Sequence, residues 1–557
     1  MKNRILFISL AVVLALSVGL IGCDGNGDPT TGPQGTLVVA RASLAHETFL
    51  PWTGGAIEKN YLSGTIYESL TLRDREAELL PCLATGWAMA TNGTVWTVTL
   101  REDIPFHDAV GNNLSIMNAE DVKYTFERLM DEDSISHIKG GLLGTIDHIE
   151  TSGDYTVIFY LKAPDIAFMK TYSSQDMMGV VSKAYIEAYG DEVAASNPVG
   201  TGPYVRDAHV VGAYIQLRAI DDYENHWRMG TVSDPTKYFR YLKFMVVPEM
   251  STRVLGLVSG EIHMADIGVE VVDQIVAAAG VSVLTDIEYL AATDIIRLGG
   301  LHELDTHVPK GYNTTNPWSD VTVVGATTAG VMVRQAMNLA INKTEMRDTI
   351  YEGLGNPAPA SISIPEWLTT LTAYPCDPAL AETLMDDAGY PRSAPSAVDR
   401  FSITIIEDGR YSHPVNAIAV ESYWEAVGID VTIETWTWQA LRAAWAARTL
   451  NVGYAWMHRT PPGAGDPAIT VNMAFDPAAV LGDYSDATTE TLRTEMLGEL
   501  NPTLRTQKLE DLGAYVNDVA TQVFLISVLG PLGVSDLLDE PRDVFDIKEN
   551  IEQIHRK

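Results

Sequence analysis

The side chains with the strongest claim to chemistry stand in the run His302-Glu303-Leu304-Asp305-Thr306-His307. Two histidines flanking carboxylates can hold a divalent cation, and a glutamate beside them can activate water. A zinc hydrolase of that kind needs its imidazoles four residues apart on one helical face. Here the second histidine follows at the fifth position, which on a helix separates the two rings by ~140°. There is no G-x-S-x-G nucleophile turn and no G-x-x-x-x-G-K-[ST] phosphate loop. The three cysteines, Cys23, Cys82 and Cys376, lack zinc-like spacing and leave only a distant pair for a disulfide. These residues predict no catalytic group, no metal site and no cofactor.

The chemistry at Cys23 is of another kind. Lys2 and Arg4 precede an uncharged apolar stretch from Ile5 to Ile21, the layout of an export signal. It ends in Leu20-Ile21-Gly22-Cys23, which resembles the lipobox of bacterial lipoproteins. That resemblance implies cleavage after residue 22 and a diacylglycerol on the Cys23 sulfur. Residues 24–35 (DGNGDPTTGPQG) are small, polar or turn-forming and cannot bury enough apolar surface to order themselves, so 23–35 reads as a lipidated, flexible tether. No second apolar run of ~18 residues follows. The expected location is outside the cytoplasm, anchored by lipid to the outer face of the bacterial cytoplasmic membrane, or in the periplasm where two membranes exist.

The 38 basic residues against 73 acidic ones leave a formal net charge of -35. Electrostatics therefore opposes nucleic acid and anionic lipid as partners, and a solvated acidic surface is the simpler account of the excess. A body this long, 46% of it hydrophobic, exceeds one core and predicts two or three domains.

Thr36 to Ala40 has the length and apolarity of a strand, and Thr94 to Leu100 alternates in the strand period. Asn118 stands where a helix N-cap belongs, with Glu120 and Asp121 in the first turn and Val122, Phe126, Leu129 and Met130 on one face. A Gly153-Asp154 turn leads into a strand over Tyr155 to Leu161. Later, Val333, Ala336, Met337, Ala340 and Ile341 form a helical stripe, and Asp377-Pro378 opens a helix that runs to Gly389. A strand over Phe401 to Ile406, a helix over Pro414 to Val427 and a strand over Ile429 to Glu434 make a βαβ unit. Trp436 and Trp438 prolong that last strand pattern.

Several blocks in order resemble the peptide/nickel-type substrate-binding proteins of ABC importers, the extracellular solute-binding proteins of family 5. They are Tyr67-Glu68-Ser69-Leu70 with Leu80 to Trp87, Leu100 to Asp108, Asn118 to Val122, Asn197-Pro198-Val199-Gly200-Thr201-Gly202-Pro203-Tyr204, and Val333 to Lys343. The resemblance spans roughly residues 36 to 535. It implies an α/β fold of the periplasmic binding protein type, of the large class with an extra inserted domain: two lobes, a hinge and a central cleft. Lobe I would comprise 36–61, 197–297 and 523–557, with 62–196 as its inserted subdomain, and lobe II would comprise 298–522. The blocks themselves read as scaffold: Gly200 to Tyr204 is a turn chosen for backbone geometry, and Arg334 and Asp121 hold architecture.

The same resemblance implies where a ligand would sit. Dipeptide binders of the family hold the peptide ammonium with an Asp shortly after a Trp, and the carboxylate with an Arg in an earlier loop. Arg410 matches that Arg and Trp456 that Trp, but Arg459 follows Trp456 where the Asp is expected, and aligning on Asp466-Pro467 instead gives Gly463. A buried ammonium without an anionic partner loses a charge-assisted hydrogen bond. Two arginines suit a carboxylate-bearing solute, unless Arg459 pairs with a local acid such as Asp466. The ligand-binding set is then Arg410, Trp456, His458, Arg459, Trp52 and Trp436. The expected partners are a small organic solute, ABC permease subunits and, through the anchor, a membrane, with the protein itself a monomer that catalyses nothing. A nickel-chelate or haem receptor, for which His458 is the candidate group, and a secreted lipoprotein hydrolase are the alternatives.

Overall fold

The computed structural model describes residues 32–44, 47–53, 64–73, 78–108, 111–136, 138–174, 178–228, 234–284, 292–304, 312–319, 328–362, 364–410, 412–460, 466–477, 479, 482, 484–528, 530–539 and 554–556. The signal segment, Cys23, most of the tether and His307 lie outside them.

Strand β1 (Thr36–Arg41) opens the first sheet. The chain then makes a separate sheet from β2 (Ala84–Met89), β3 (Val95–Leu100), β4 (Ile146–Thr151) and β5 (Thr156–Leu161), in the order β2-β3-β5-β4. Helix α1 (Ala119–Met130) lies between β3 and β4 in the chain and starts as its residues predict. The Asn118 side chain accepts from the Glu120 amide, and the Asp121 side chain accepts from the Asn118 amide. Asp121 also accepts from the Lys183 amide at 2.8 Å, so it joins two helices. Leu37, Val39, Leu217 and Leu242 share one core cluster with Val98, Val122, Phe126 and Phe159. The inserted sheet is therefore fused to the first lobe by a common interior.

The first sheet is completed by β6 (Tyr204–Val210), β7 (Tyr214–Ala219), β8 (Tyr241–Val246), β9 (Met264–Asp266) and β10 (Val281–Leu284). A final strand arrives from the far end of the chain. The second sheet begins at β11 (Ala292–Leu298). It continues through helices α2 (Ala329–Leu339) and α3 (Lys343–Ile350), the short edge strand β12 (Asn356–Pro357), and β13 (Ser402–Glu407). Helix α4 (His413–Ala426), β14 (Asp430–Thr435), helix α5 (Trp438–Ala446) and β15 (Tyr454–Thr460) follow. Helices α6 (Ala487–Leu497) and α7 (Pro502–Asp518) precede β16 (Val523–Val528), and β17 (Leu532–Ser535) is the strand that returns to the first sheet. The strand orders are β6-β7-β8-β1-β9-β17-β10 and β12-β16-β11-β15-β13-β14.

Two expected boundaries move. Strands β11 and β16 contain residues assigned from the sequence to lobe I, yet both pair inside the second sheet. The crossings between sheets fall between β10 and β11 and between β16 and β17. An apolar strand carries no local signal of which sheet it will join, because that choice is made by its pairing partners. The Trp438 expectation is corrected too. Thr437 caps a helix by accepting from the Ala440 amide, and that cap ends the strand pattern before Trp438, which begins α5.

The scaffold readings of the motif blocks hold in detail. Arg334, with no exposed surface, donates through Nε to the Val519 and Ala520 carbonyls and through Nη1 to the Trp318 carbonyl, closing the C-terminal end of α7. A side-chain carbon on Gly200 would stand 1.9 Å from the Ile66 carbonyl oxygen. The turn needs glycine there for close approach of two backbones. Gly200→Ala is expected to cost about 3 kcal/mol or more, read as a lowered urea midpoint with an unchanged m-value. A loss below 1 kcal/mol would contradict the close-packed turn.

Candidate functional site

In the second sheet β13 pairs in parallel with both β14 and β15. The helix between β13 and β14 packs with the core on one face, through Ala417, Val420 and Trp424. The helix between β14 and β15 packs on the other face, through Leu441 and Trp445 against Ile406 and Trp456. The winding thus reverses between β13 and β15, and α/β sheets bind ligands beyond the carboxyl ends of strands at such a point. The residues beyond these ends are Asp408 and Arg410 after β13, Trp436 and Trp438 after β14, and His458 and Arg459 at the end of β15. The antiparallel β11 begins at this same end, where the chain enters from the first sheet, and β16 leaves from it.

Directly opposed residues on neighbouring strands share a face. Asp294 opposes Arg459, and Arg297 opposes Trp456. Asp294 has no exposed side-chain surface, and Arg459 grips it through Nε at 2.6 Å and Nη2 at 2.7 Å. The Tyr351 hydroxyl, at the end of α3, and the Asn416 amide, in α4, also donate to Asp294. Burial alone would raise the Asp294 carboxyl, but the charge and hydrogen bonds of Arg459, with His413 and Tyr351, hold it below the ordinary range. Arg459 does pair with an acid, as one expectation had it, but the acid is Asp294 on the adjacent strand. Asp466 is instead held by Arg505.

Arg410 chelates Asp408 through Nε at 2.9 Å and Nη2 at 2.5 Å and lies 3.9 Å over the Trp438 ring. The buried His413 bonds the other Asp408 oxygen at 2.8 Å. Burial pushes Asp408 up, but the bonds and charges of His413 and Arg410 outweigh it and bring the carboxyl from 3.8 down to about 2. Arg410 keeps 36% of its side-chain surface exposed, against 18% for Arg459.

His458 stacks beside Trp438 and Trp456, at 6.4 and 4.8 Å between ring centroids. Burial lowers its pKa well below 6.5, and the charges of Arg297, His413 and Arg410 lower it further, so the ring is neutral at neutral pH. Its Nδ1 and the Trp456 Nε1 are buried without a hydrogen-bond partner among the described residues. Trp436 is half-buried, its indole donating to Glu434. Trp52 sits apart from this group in the first lobe's core, donating to Asp191 at 3.0 Å beneath Arg128.

Sequence reasoning missed Asp294, Asp408 and His413. Asp294 left a signal, because a lone carboxylate within the run Thr293-Asp294-Ile295-Ile296 must find a cation if the strand is buried. On the first lobe, Arg41 and Asp266 end the parallel strands β1 and β9 and form an ion pair there. His302 forms an isolated bridge with Ser485 and is not helical. Among the described residues no group of three or more His, Cys, Asp or Glu side chains could hold a metal, and no helix is long and apolar enough to cross a membrane. Cys82 is buried and Cys376 exposed, and no disulfide joins them.

Two sheets joined by two crossings, with charged and aromatic side chains gathered at the ends facing those crossings, define a receptor of the periplasmic binding protein class. The chain belongs to the bacterial extracellular solute-binding proteins, family 5, whose model matches residues 78–479. It is 24% identical over 421 residues to heme-binding protein A of Haemophilus influenzae, covering 71% of this chain and 70% of that one. It is 24% identical over 404 residues to the dipeptide-binding protein of Escherichia coli K12, covering 68% and 69%. Its fold matches that of an ABC transporter-associated periplasmic binding protein of Helicobacter pylori, solved with the peptide STSA, at a TM-score of 0.75 and 22% identity over 94% of this chain and 98% of that one.

Asp408 is depressed in the folded state, so its stabilising contribution is present above the ordinary carboxyl pKa and is lost as pH falls toward about 2. Asp408→Asn is expected to cost about 2 kcal/mol at pH 7. That deficit relative to wild type should shrink between roughly pH 4 and pH 2, as measured by chemical unfolding across that range. A deficit independent of pH would show that the charge of Asp408 is not what holds Arg410 and His413.

Proposed function

We propose that the chain is the extracytoplasmic receptor of an ABC importer, capturing a small carboxylate-bearing organic solute between its lobes and passing it to a membrane permease. The observation that carries the ligand class is Arg410, laid over Trp438 at the switch point with a third of its side chain exposed. A guanidinium stacked on an indole presents a planar, charged edge to a carboxylate and an aromatic surface to the body of a solute. Arg459, locked to Asp294 inside the sheet, acts as a strut. With no carboxylate at the position where a peptide's ammonium would need one, peptides are the poorer fit. His458 lies at the floor of the crevice and Trp436 at its rim, while Trp456, fully buried, only supports them and Trp52 belongs to the first lobe's core.

The same reading makes the protein noncatalytic and monomeric, tethered through a lipid on Cys23, with its hinge at the β10–β11 and β16–β17 crossings. A second reading rests on one observation: His458 is neutral and its Nδ1 lacks a partner among the described residues, which suits a metal held in a chelate. Elemental analysis of the purified receptor separates the two readings.

Calorimetric titration with a panel of aromatic and aliphatic carboxylates and a panel of dipeptides tests the first. Carboxylates are expected to bind, and Arg410→Gln should weaken them about 10- to 100-fold, the value of one charge-assisted hydrogen bond. Dipeptide binding with no response to carboxylates would sink the proposed ligand class.

A further inference from the structure

The two lobes also meet outside the crossings. Leu500, between α6 and α7 of the second lobe, reaches Gly93 and Pro164 of the inserted subdomain. Leu500 Cδ2 and Pro164 Cβ each lie 2.9 Å from where a side-chain carbon on Gly93 would stand. Next to this apolar contact is Asp165, also in the inserted subdomain. Its Oδ1 accepts from the Ala167 amide at 2.8 Å, and its carbonyl accepts from the Trp96 indole at 3.0 Å, which fixes the side chain in place. Across the boundary stands the buried pair Asp466–Arg505, joined at 2.7 and 2.5 Å. The charges of both Asp466 and Arg505 act on Asp165 across the boundary.

We infer that this contact is a latch on the closed receptor: Leu500 seats on Gly93 and Pro164, and Asp165 takes up a proton as it comes to face Asp466. The inference rests on the reading of the chain as a receptor that closes. In an open form Asp165 would face water, and its pKa would be that of an ordinary carboxylate. In the closed form burial raises it, Asp466 raises it further and Arg505 opposes both, leaving it at about 6. The other groups facing it are Tyr172, whose hydroxyl feels both Asp165 and Asp476, and the amides of Ala167 and Phe168. Arg493 is held by Glu490, Asn472 and Asp476. A group whose pKa is higher in the closed state favours closure as pH falls through that value. The ratio of closed to open molecules should rise about tenfold from pH 8 to pH 5.

The test reads the distance between nitroxide labels on Ala88→Cys and Gln507→Cys, both exposed, by pulsed electron resonance on the full chain with Cys23→Ser and Cys376→Ser. In the otherwise wild-type chain the short-distance population is expected to grow as pH falls below about 6. Asp165→Asn, which keeps the acceptor for the Ala167 amide, should hold that population at its acid level at every pH. Leu500→Ala should deplete it at every pH while leaving the far-ultraviolet dichroism and unfolding midpoint unchanged. Identical pH profiles for wild type and Asp165→Asn would overturn the latch, as would an unaltered population in Leu500→Ala. A distance that responds neither to pH nor to an added carboxylate panel would overturn the closing receptor along with it. Distances that respond to carboxylate alone remove only the latch.

Discussion

The buried pair of Asp294 and Arg459 is the interaction on which the rest of the second lobe's working end depends. A carboxylate with no exposed surface is tolerable only if its charge is matched and its lone pairs are filled. Arg459 matches the charge from the next strand, and Tyr351 and Asn416 fill the remaining acceptor sites. Asn416 also donates to the Tyr351 hydroxyl at 2.6 Å, which closes the network. In satisfying one carboxylate the protein fixes two strands and two helices relative to each other. The second of those helices, α4, carries His413 in its first turn. His413 positions Asp408, Asp408 positions Arg410, and Arg410 lies on Trp438. Each step is a charge-assisted hydrogen bond or a stacking contact, and each orients the next, so the exposed guanidinium inherits its placement from a buried acid.

This arrangement changes what an arginine in the sequence means. Both Arg410 and Arg459 stand where a carboxylate-binding site would put them, yet each already carries a carboxylate of its own. The difference between them is one of burial. Arg459 holds an acid that would be costly to leave bare, so releasing it to a solute would strand Asp294 in the sheet. Arg410 also holds an acid with no exposed side-chain surface, but its own guanidinium is twice as exposed as that of Arg459, and His413 keeps Asp408 paired when a solute shares the arginine. The crevice is therefore less cationic than two arginines suggest, and the neutral His458 adds no charge.

Much of the fold was legible because it is written in local chemistry. The capping of α1 by Asn118, the start of the helix Pro378–Asp387 at Asp377, and the βαβ succession from β13 to β14 all follow from residues within a few positions of one another. Lobe membership was not legible, because β11 and β16 announce themselves as strands but choose their sheet by pairing with residues more than a hundred positions away. The site was half legible for the same reason. Arg410, Trp456, His458 and Arg459 are brought together as the ordered motifs imply, while their partners Asp294 and His413 lie in a strand and a helix that carry no motif. Trp436 and Trp438 show the remaining ambiguity. Two aromatics spaced by two continue a strand until a Thr between them supplies a cap, and then the second one belongs to a helix.

The inserted subdomain is part of the first lobe's packed interior. Because its sheet shares one interior with β1, β7 and β8, it cannot move independently of the first lobe without opening that core. Any rotation about the two crossings therefore carries Gly93 and Pro164 with it. Near the crossings, Val269 of the first lobe packs with Tyr351, Ile526 and Val528 of the second. Leu500 and Asp165 belong to a separate contact between the lobes, made through Gly93 and Pro164. On the latch proposed above, such a contact sets how long the receptor stays shut without touching what it holds. In this chain it is made from a leucine over a glycine and an acid beside a salt bridge. On the proposed reading, affinity for the solute belongs to the switch point of the second sheet and persistence of the closed form to the contact of Leu500 with the insertion.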